Sequence, residues 1–273
     1  MDNTQAQKLK QRIKALQDTY KITKALDSIS LVKMRKSTDI LKRNKVYFDR
    51  IQTAVTDLIN HTATSYNQYL GFNKKGKEVF LIIAGDKGFC GAYNHTLCKY
   101  ALDILSKYDK QNVVVYCVGY KLIEFFARHE WDVNKDFVYY SSIQSHIDAT
   151  TISKAMHKLY LHDDIASINI LYTQLIGGSL CKPQHLQVLP IIARIQPQYQ
   201  DIETEEFFKE VVYEPSVEEV FEALIDQYLN GIVFGALAHS AVAEHTSRCM
   251  AMSNASDNAQ ELLDKLKTRR NQG

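Results

Sequence analysis

From Met1 to Leu70 the chain has no glycine and no proline, and from Ser216 to Gln272 it has only Gly231 and Gly235. Apolar residues in the first stretch recur at Leu9, Ile13, Leu16, Tyr20, Ile22, Leu26 and Ile29, then at Leu41, Phe48, Ile51, Val55 and Leu58, which is helical spacing. One helix through that stretch would be about 100 Å long, more than a domain of 273 residues is wide. Only another long helix can cover it. The second stretch offers one, with Val217, Phe221, Leu224, Tyr228, Ala238, Val242, Cys249, Met252, Ala259, Leu263 and Leu266 at heptad-like steps. Gly231, Gly235, Ala236 and Ala238 place small side chains in its middle, where close approach of another backbone is expected.

The centre follows different rules. Val79 to Ala84, Val113 to Val118 and Ala166 to Tyr172 are short apolar runs that predict strands, and Asn94 to Ser106, Tyr120 to His129 and Asp148 to His162 predict helices between them. This alternation predicts right-handed crossovers and a mostly parallel sheet. The expected fold is therefore α/β plus a long antiparallel coiled coil. Its parts are a helix over 1–70, a Rossmann-like domain over 77–195, an irregular return over 196–215 and a second helix over 216–273. The cluster from Gly71 to Lys77 is expected to stop the first helix, and Pro215-Ser216 with Glu218 and Glu219 to start the second. All four prolines lie between Pro183 and Pro215, which makes that return irregular.

The net charge of +2 hides an asymmetry of +8 over residues 1–50 against −9 over residues 201–250. A basic arm alone would suggest nucleic acid or an anionic membrane. The acidic counterpart favours mutual pairing or a charged protein partner, and no nucleic acid is expected. The longest apolar run, Val79 to Ala84, is too short to cross a bilayer, so membrane association is expected only through partners. The start has no signal or transit character, and the mature chain is expected to begin near Met1. Cys90, Cys98, Cys117, Cys181 and Cys249 form no Cys-x-x-Cys pair and read as free thiols of a reducing compartment. His157 and His162, like His239 and His245, are wrongly spaced for a metal on one helix face, so neither metal nor cofactor is expected.

Gly85-Asp86-Lys87-Gly88-Phe89-Cys90-Gly91 follows the first strand, where α/β folds often hold phosphate. It matches neither G-x-G-x-x-G nor a Walker loop, and no acidic residue closes the next strand to hold a ribose. A tight turn or partner-docking loop built on Gly85, Asp86, Gly88, Cys90, Gly91 and Asn94 is the favoured reading, with a nucleotide site as the alternative. The group Lys21, Lys24, Lys33, Arg35 and Lys36 reads either as a solvated helix face or as charge facing another protein's carboxylates.

The stretch from Ala241 to Ala259 resembles the gamma subunit of F-type ATP synthases. So do Asp18-Thr19, Lys21 to Ala25 and Lys33 to Lys36, the loop from Gly85 to Asn94, and Tyr213-Glu214-Pro215, in the family's order and across the whole chain. Leu26 stands where the family usually has methionine, Ser30 and Leu31 replace small alanines, and Gly-Phe-Cys-Gly-Ala stands for Gly-Leu-Cys-Gly-Gly. The family's usual continuation, an Arg-Gln pair and an Ile-Thr-x-Glu signature, does not follow Gln272-Gly273.

The resemblance implies a non-catalytic axle inside a ring of three alpha and three beta subunits. Its foot domain is implied to sit beside epsilon and the membrane rotor (c) ring, on the cytoplasmic side, peripheral to the cell membrane. Implied ring contacts are Lys21, Lys24, Leu26, Lys33, Arg35, Lys36, Glu244, Arg248, Met252, Asp257 and Asn258. The implied pairing sets Leu26 level with Arg248, brings Arg50 near Glu222 and Asp226, and ends the two helices flush, as a blunt tip. A gamma-like shaft of a related ATPase motor with another task, such as mycoplasma motility, and a Rossmann-like nucleotide-dependent enzyme with helical extensions are the other readings.

Overall fold

The computed structural model describes residues 3–61, 69, 76–138, 146–162, 164–177, 180–191 and 214–272. Helix α1 (Asn3–His61) and the last helix, α5 (Val217–Gln272), run antiparallel. Ser216 starts α5 by accepting a hydrogen bond at Oγ from the Glu219 amide, satisfying one of the free N–H groups of the first turn. Between the two helices come β1 (Lys77–Ile83), α2 (Tyr93–Leu105), β2 (Val113–Val118), α3 (Tyr120–Arg128), α4 (His146–His162), β3 (Ile165–Leu175) and β4 (Cys181–Leu189). The expected stop over 71–75, most of the 196–215 return, and the Met1 and Gly273 ends lie outside the described residues.

The sheet order is β2-β1-β3-β4, with β1 parallel to both neighbours and β4 antiparallel to β3. Strand β1 is buried on both faces, which is why its sequence is one unbroken apolar run. Phe80, Ile82 and Ala84 pack with Leu97, Ala101 and Leu105 of α2 and Leu122 and Phe126 of α3. Val79, Leu81 and Ile83 pack on the other face, with Ile152, Met156 and Tyr160 of α4, and with Phe221, Ile225 and Val233 of α5 and Val55 and Leu58 of α1. The shaft is thus part of the core of the α/β domain. Against the expectation from the apolar runs, a stretch of α5 is long and apolar enough to cross a bilayer by length and composition, but half of that stretch is buried in this packing.

Strand β4 lies within the expected 77–195 domain but is not among the strands that the apolar runs predict. Pro183 pairs with Thr173 at the sheet edge, where a missing N–H costs no central ladder bond.

The seam of α1 also departs from the expected one. Ile22 and Ile29 are 61% and 53% exposed, while Thr23, Ser30, Ser37 and Asn44, seven residues apart, take the buried positions. The hydroxyls of Thr23, Ser30 and Ser37 bond back to carbonyls four residues earlier, so these polar side chains are buried without a penalty for unmet donors. Gly231 makes room for a ring rather than a backbone, since a Cβ there would sit 2.7 Å from Phe48 Cδ2. Phe48 stacks on Tyr228, and Cys249 Sγ donates to Asp27 Oδ1 at 3.0 Å, next in the chain to Leu26 and Arg248.

Among the described residues no ion pair joins the two oppositely charged arms, although Tyr47 donates to Gln227 Oε1 at 2.7 Å one turn from Arg50 and beside Asp226. Asp226 bonds His157 of α4, Glu244 bonds Arg248 of its own helix, and Lys45 bonds Asp49 of its own helix. The physical reason is axial placement. Half of the acids of α5 stand at its start, beside the foot, whereas the bases of α1 lie mostly further along the shaft, where α5 sets its own Lys265, Lys267, Arg269 and Arg270 beside Asp257, Glu261 and Asp264 and pairs Glu261 with Lys265.

Candidate functional site

In a sheet of order β2-β1-β3-β4, the connections leaving the neighbouring strands β1 and β3 run in opposite directions, and the crevice between their carboxyl ends is where doubly wound folds bind ligands. Here the shaft fills that crevice. Gly85, just past β1, lies so close to Glu244 of α5 that a Cβ on it would be 2.8 Å from the carboxyl carbon. On the β3–β4 side, Cys181 Sγ lies 3.8 Å from Ala243 O and 3.6 Å from Ser247 Oγ. Tyr93, buried at the start of α2, donates its hydroxyl to Ser240 O at 3.1 Å. A phosphate has no room where Glu244 stands, and its charge would meet a carboxylate. The glycine loop therefore docks on its own chain's shaft, with Glu244 standing where a doubly wound fold would hold a phosphate.

The loop's shape is held from within. Gly85 N donates to Asn94 Oδ1 at 2.9 Å, and Asp86 Oδ1 accepts from Tyr120 N at 2.9 Å, tying the β1 loop to the start of α3. Arg248 closes it from the shaft, its Nε donating to Gly88 O at 3.2 Å and Nη2 to Lys87 O at 3.5 Å and to Glu244 Oε1. The side chains of Glu244 and Arg248 are only 13% and 11% exposed. Cys90 is buried behind the loop, and burial pushes its thiol up. Gly91, with φ at 57°, and Gly88 are exposed.

Burial pushes the Glu244 carboxyl up, with Arg248 and Lys33 opposing. Burial, then Arg248 and Lys33, hold His245 down at about 4, and its Nδ1 faces Arg248 Nη1 at 3.3 Å. The folded chain therefore resists protonating His245, while the unfolded chain takes up that proton near the ordinary histidine value of 6.5. The sign follows by linkage: stability falls as pH drops from about 6.5 to about 4, by up to about 3 kcal/mol. His245→Gln is expected to flatten that part of the urea-unfolding profile. An unchanged pH slope in the variant would count against a neutral, buried His245.

The residues expected to meet a partner divide into two sets. Lys21, Lys24, Lys33, Arg35, Lys36, Asp257 and Asn258 are exposed, and Leu26 is half-buried. Met252 is 6% exposed and packs inside the chain, so it offers no side chain to a partner. Glu244 and Arg248 spend their polar groups on the chain's own loop. Several large apolar side chains stand in solvent and are not among the expected contacts, Ile22 and Ile29 being counted in the apolar helical spacing instead. Ile22, Ile29 and Val32 are 61%, 53% and 66% exposed among the α1 lysines, and Phe89 is 71% exposed on a loop where its φ is 61°. Tyr120, Ile176 and Leu180 are exposed at the same carboxyl edge of the sheet. Phe89 and these three lie on the shoulder of the foot, the carboxyl edge of the sheet whose loop Arg248 clasps. The signal for Ile22 and Ile29 was present, because neither is three or four residues from both neighbours in a seam that runs through Tyr20, Thr23, Asp27 and Ser30.

The family model described as ATP synthase matches residues 5–273. The ATP synthase gamma chain of Caldanaerobacter subterraneus subsp. tengcongensis is 34% identical over 271 residues, which cover 93% of this chain and 89% of that one. Among solved structures, a chain of the central stalk and c-ring of Tetrahymena thermophila mitochondrial ATP synthase has a TM-score of 0.61 at 20% identity, covering 86% of this chain and 99% of that chain. A chain from the OSCP, F1 and c-ring part of Euglena gracilis mitochondrial ATP synthase has a TM-score of 0.63 at 14% identity, covering 98% and 88%. Those two likenesses carry the fold, and the curated relative with the family match carries the kinship: the chain belongs to the ATP synthase gamma chain family.

Proposed function

We infer that this chain is the central-stalk rotor of an ATP synthase, a subunit that carries no catalytic site itself and turns within a ring of alpha and beta subunits. The observation that carries this reading is the exposed band of Ile22, Ile29 and Val32 among Lys21, Lys24, Lys33, Arg35 and Lys36 on a helix of 59 residues. Apolar side chains that are more than half exposed beside like charges are costly in isolation and fit a partner surface that is apolar and acidic. A single rod in a ring of three equivalent pairs presents this band to one pair at a time. Each catalytic subunit then meets a different surface, and differential contact free energy biases each to a different nucleotide state. Turning the rod exchanges those states. The paired helices α1 and α5 give the rod its stiffness, and the α/β foot, fused to them through a shared core, is the part on which the membrane rotor ring and epsilon would act. The complex would sit on the cytoplasmic face, with this chain reaching the membrane only through its partners.

The test is reconstitution with alpha and beta subunits. The wild-type chain is expected to assemble and support nucleotide-driven rotation. Replacing Lys21, Lys24, Lys33, Arg35 and Lys36 together by Glu is expected to slow association about a hundredfold at low salt, with the difference shrinking as salt rises. Equal association rates for the two chains at low salt would overturn the assignment of this face, and failure of the wild-type chain to assemble would overturn the rotor reading.

A further inference from the structure

A rotor of this shape must carry load between the foot and the shaft, and apolar packing alone is non-directional. Arg248 fastens the two at the carboxyl edge of the sheet. A second fastener stands near the other edge. His157 of α4 has Nδ1 2.7 Å from Asp226 Oδ1 of α5 and Nε2 2.9 Å from the hydroxyl of Tyr69. The His157 side chain is 13% exposed, and Tyr69 is buried to 1% between rings of α4 and α5, with centroids 6.3 Å from Tyr160 and 5.6 Å from Phe221. Its backbone oxygen also accepts from Ile191 N, at the end of β4, at 2.6 Å. Residue 69, α4, α5 and the end of β4 therefore meet at one ring.

The chemistry of the bridge fixes its direction. A carboxylate only accepts, so His157 donates from Nδ1 to Asp226, and in the neutral ring Nε2 is left to accept from the Tyr69 hydroxyl. Each of the three groups is satisfied in one orientation of the imidazole, which sets α4 at one height and one angle against α5. Asp226 and Arg248 are 22 residues apart on α5, about 33 Å of helix, so the two fasteners grip the shaft at well-separated levels. Two grips at separated levels hold the foot against both twist and tilt, adding direction to the apolar core that foot and shaft already share.

We propose that the Tyr69–His157–Asp226 bridge is a torque-bearing joint, with His157 as the positioning residue that holds the foot in fixed rotation against the shaft. The proposal rests on the rotor reading for its purpose but not for its geometry. His157→Phe keeps a ring beside Tyr69 and removes both hydrogen bonds; Tyr69→Phe removes one hydroxyl and leaves the packing in place. Asp226→Asn keeps an acceptor for Nδ1–H.

Two measurements test the joint. In the isolated full-length chain, hydrogen exchange of the protected amides of α4 is expected to become about tenfold faster in His157→Phe and Tyr69→Phe, with α2 and α3 unchanged, because one local fastening is lost. In the assembled ring with nucleotide, the angular variance of a probe fixed to the foot is expected to rise about twofold when one of two grips is lost, while a probe on the shaft near Asp257 shows no change. Asp226→Asn is expected to stay near wild type in both. A general loss of stability would move α2, α3 and the shaft probe as well, and that result would overturn the joint. So would unchanged exchange of α4 in both variants, or an unchanged foot variance in a ring that rotates. Faster α4 exchange in a chain whose wild type never rotates would instead keep the joint and discard the rotor reading.

Discussion

Arg248→Ala is expected to lower the stability of the chain by about 3–5 kcal/mol and to release the loop after β1 from the shaft. The size comes from what is left behind rather than from the contact removed. Glu244 is 13% exposed, pressed against Gly85, and its carboxyl is already pushed up by burial; without the guanidinium it becomes an unpaired charge in a crowded crevice. In the same step Gly88 O loses the donor it has in Arg248, and Lys87 O keeps only Asn94 Nδ2 at 3.4 Å and Cys90 Sγ at 3.7 Å. Urea unfolding should give the free-energy loss. Trypsin cleavage after Lys87 should accelerate, because that exposed residue is held at its carbonyl by Arg248. Combining Arg248→Met with Glu244→Gln removes both charges and is expected to recover much of the loss, since a matched neutral pair avoids the desolvated charge. A single variant within about 0.5 kcal/mol of wild type, with unchanged cleavage at Lys87, would mean that the pair is solvated and that the loop is held by Asn94 and Asp86 alone.

This crevice also shows where the sequence stops being readable. Strands β1, β2 and β3 and helices α2 to α4 announce themselves, because each buries a run or stripe whose period is its own. Strand β4 does not, since Lys182, Gln184, His185 and Gln187 at a sheet edge give no apolar run and Pro183 reads as a break. The α1 seam is masked for a related reason. Its middle is built of Thr23, Ser30, Ser37 and Asn44, and the apolar residues nearest in register, Ile22 and Ile29, belong to the outer face. Glu244 and Arg248, four residues apart on a helix, look like any surface pair. Their meaning depends on the loop at 85–94, whose Gly88 lies 160 residues from Arg248, and local periodicity carries no record of that. The kinship was legible because motifs survive substitution better than contacts can be inferred; the division of the shoulder between inward clip and outward face was not.

Gly119→Ala tests the same shoulder from the sheet side and is expected to cost about 3–5 kcal/mol. Gly119 ends β2 with φ at 103°, a conformation that an L side chain rarely adopts, and a Cβ there would stand 2.3 Å from Ala84 O and 2.7 Å from Ala84 C. Those atoms are backbone and cannot turn aside. They are also fixed from both ends, by Ala84 N donating to Val118 O at 2.8 Å and Gly119 N donating to Val138 O at 3.0 Å. Relief can come only by separating β1 from β2 at their carboxyl ends, and the first residues to move are Ala84 and Gly85, the pair that seats the loop on Glu244. The variant should therefore unfold at lower urea, and its remaining folded fraction should show faster trypsin cleavage at Lys87, like Arg248→Ala. Gly88→Ala is the matched control: it lies in the same loop, has nothing within 4 Å of an added Cβ, and is expected within about 0.5 kcal/mol of wild type. If the two alanine variants proved equally mild, β1 and β2 would have to part freely at this edge, and the shaft rather than the sheet would be holding the loop in place.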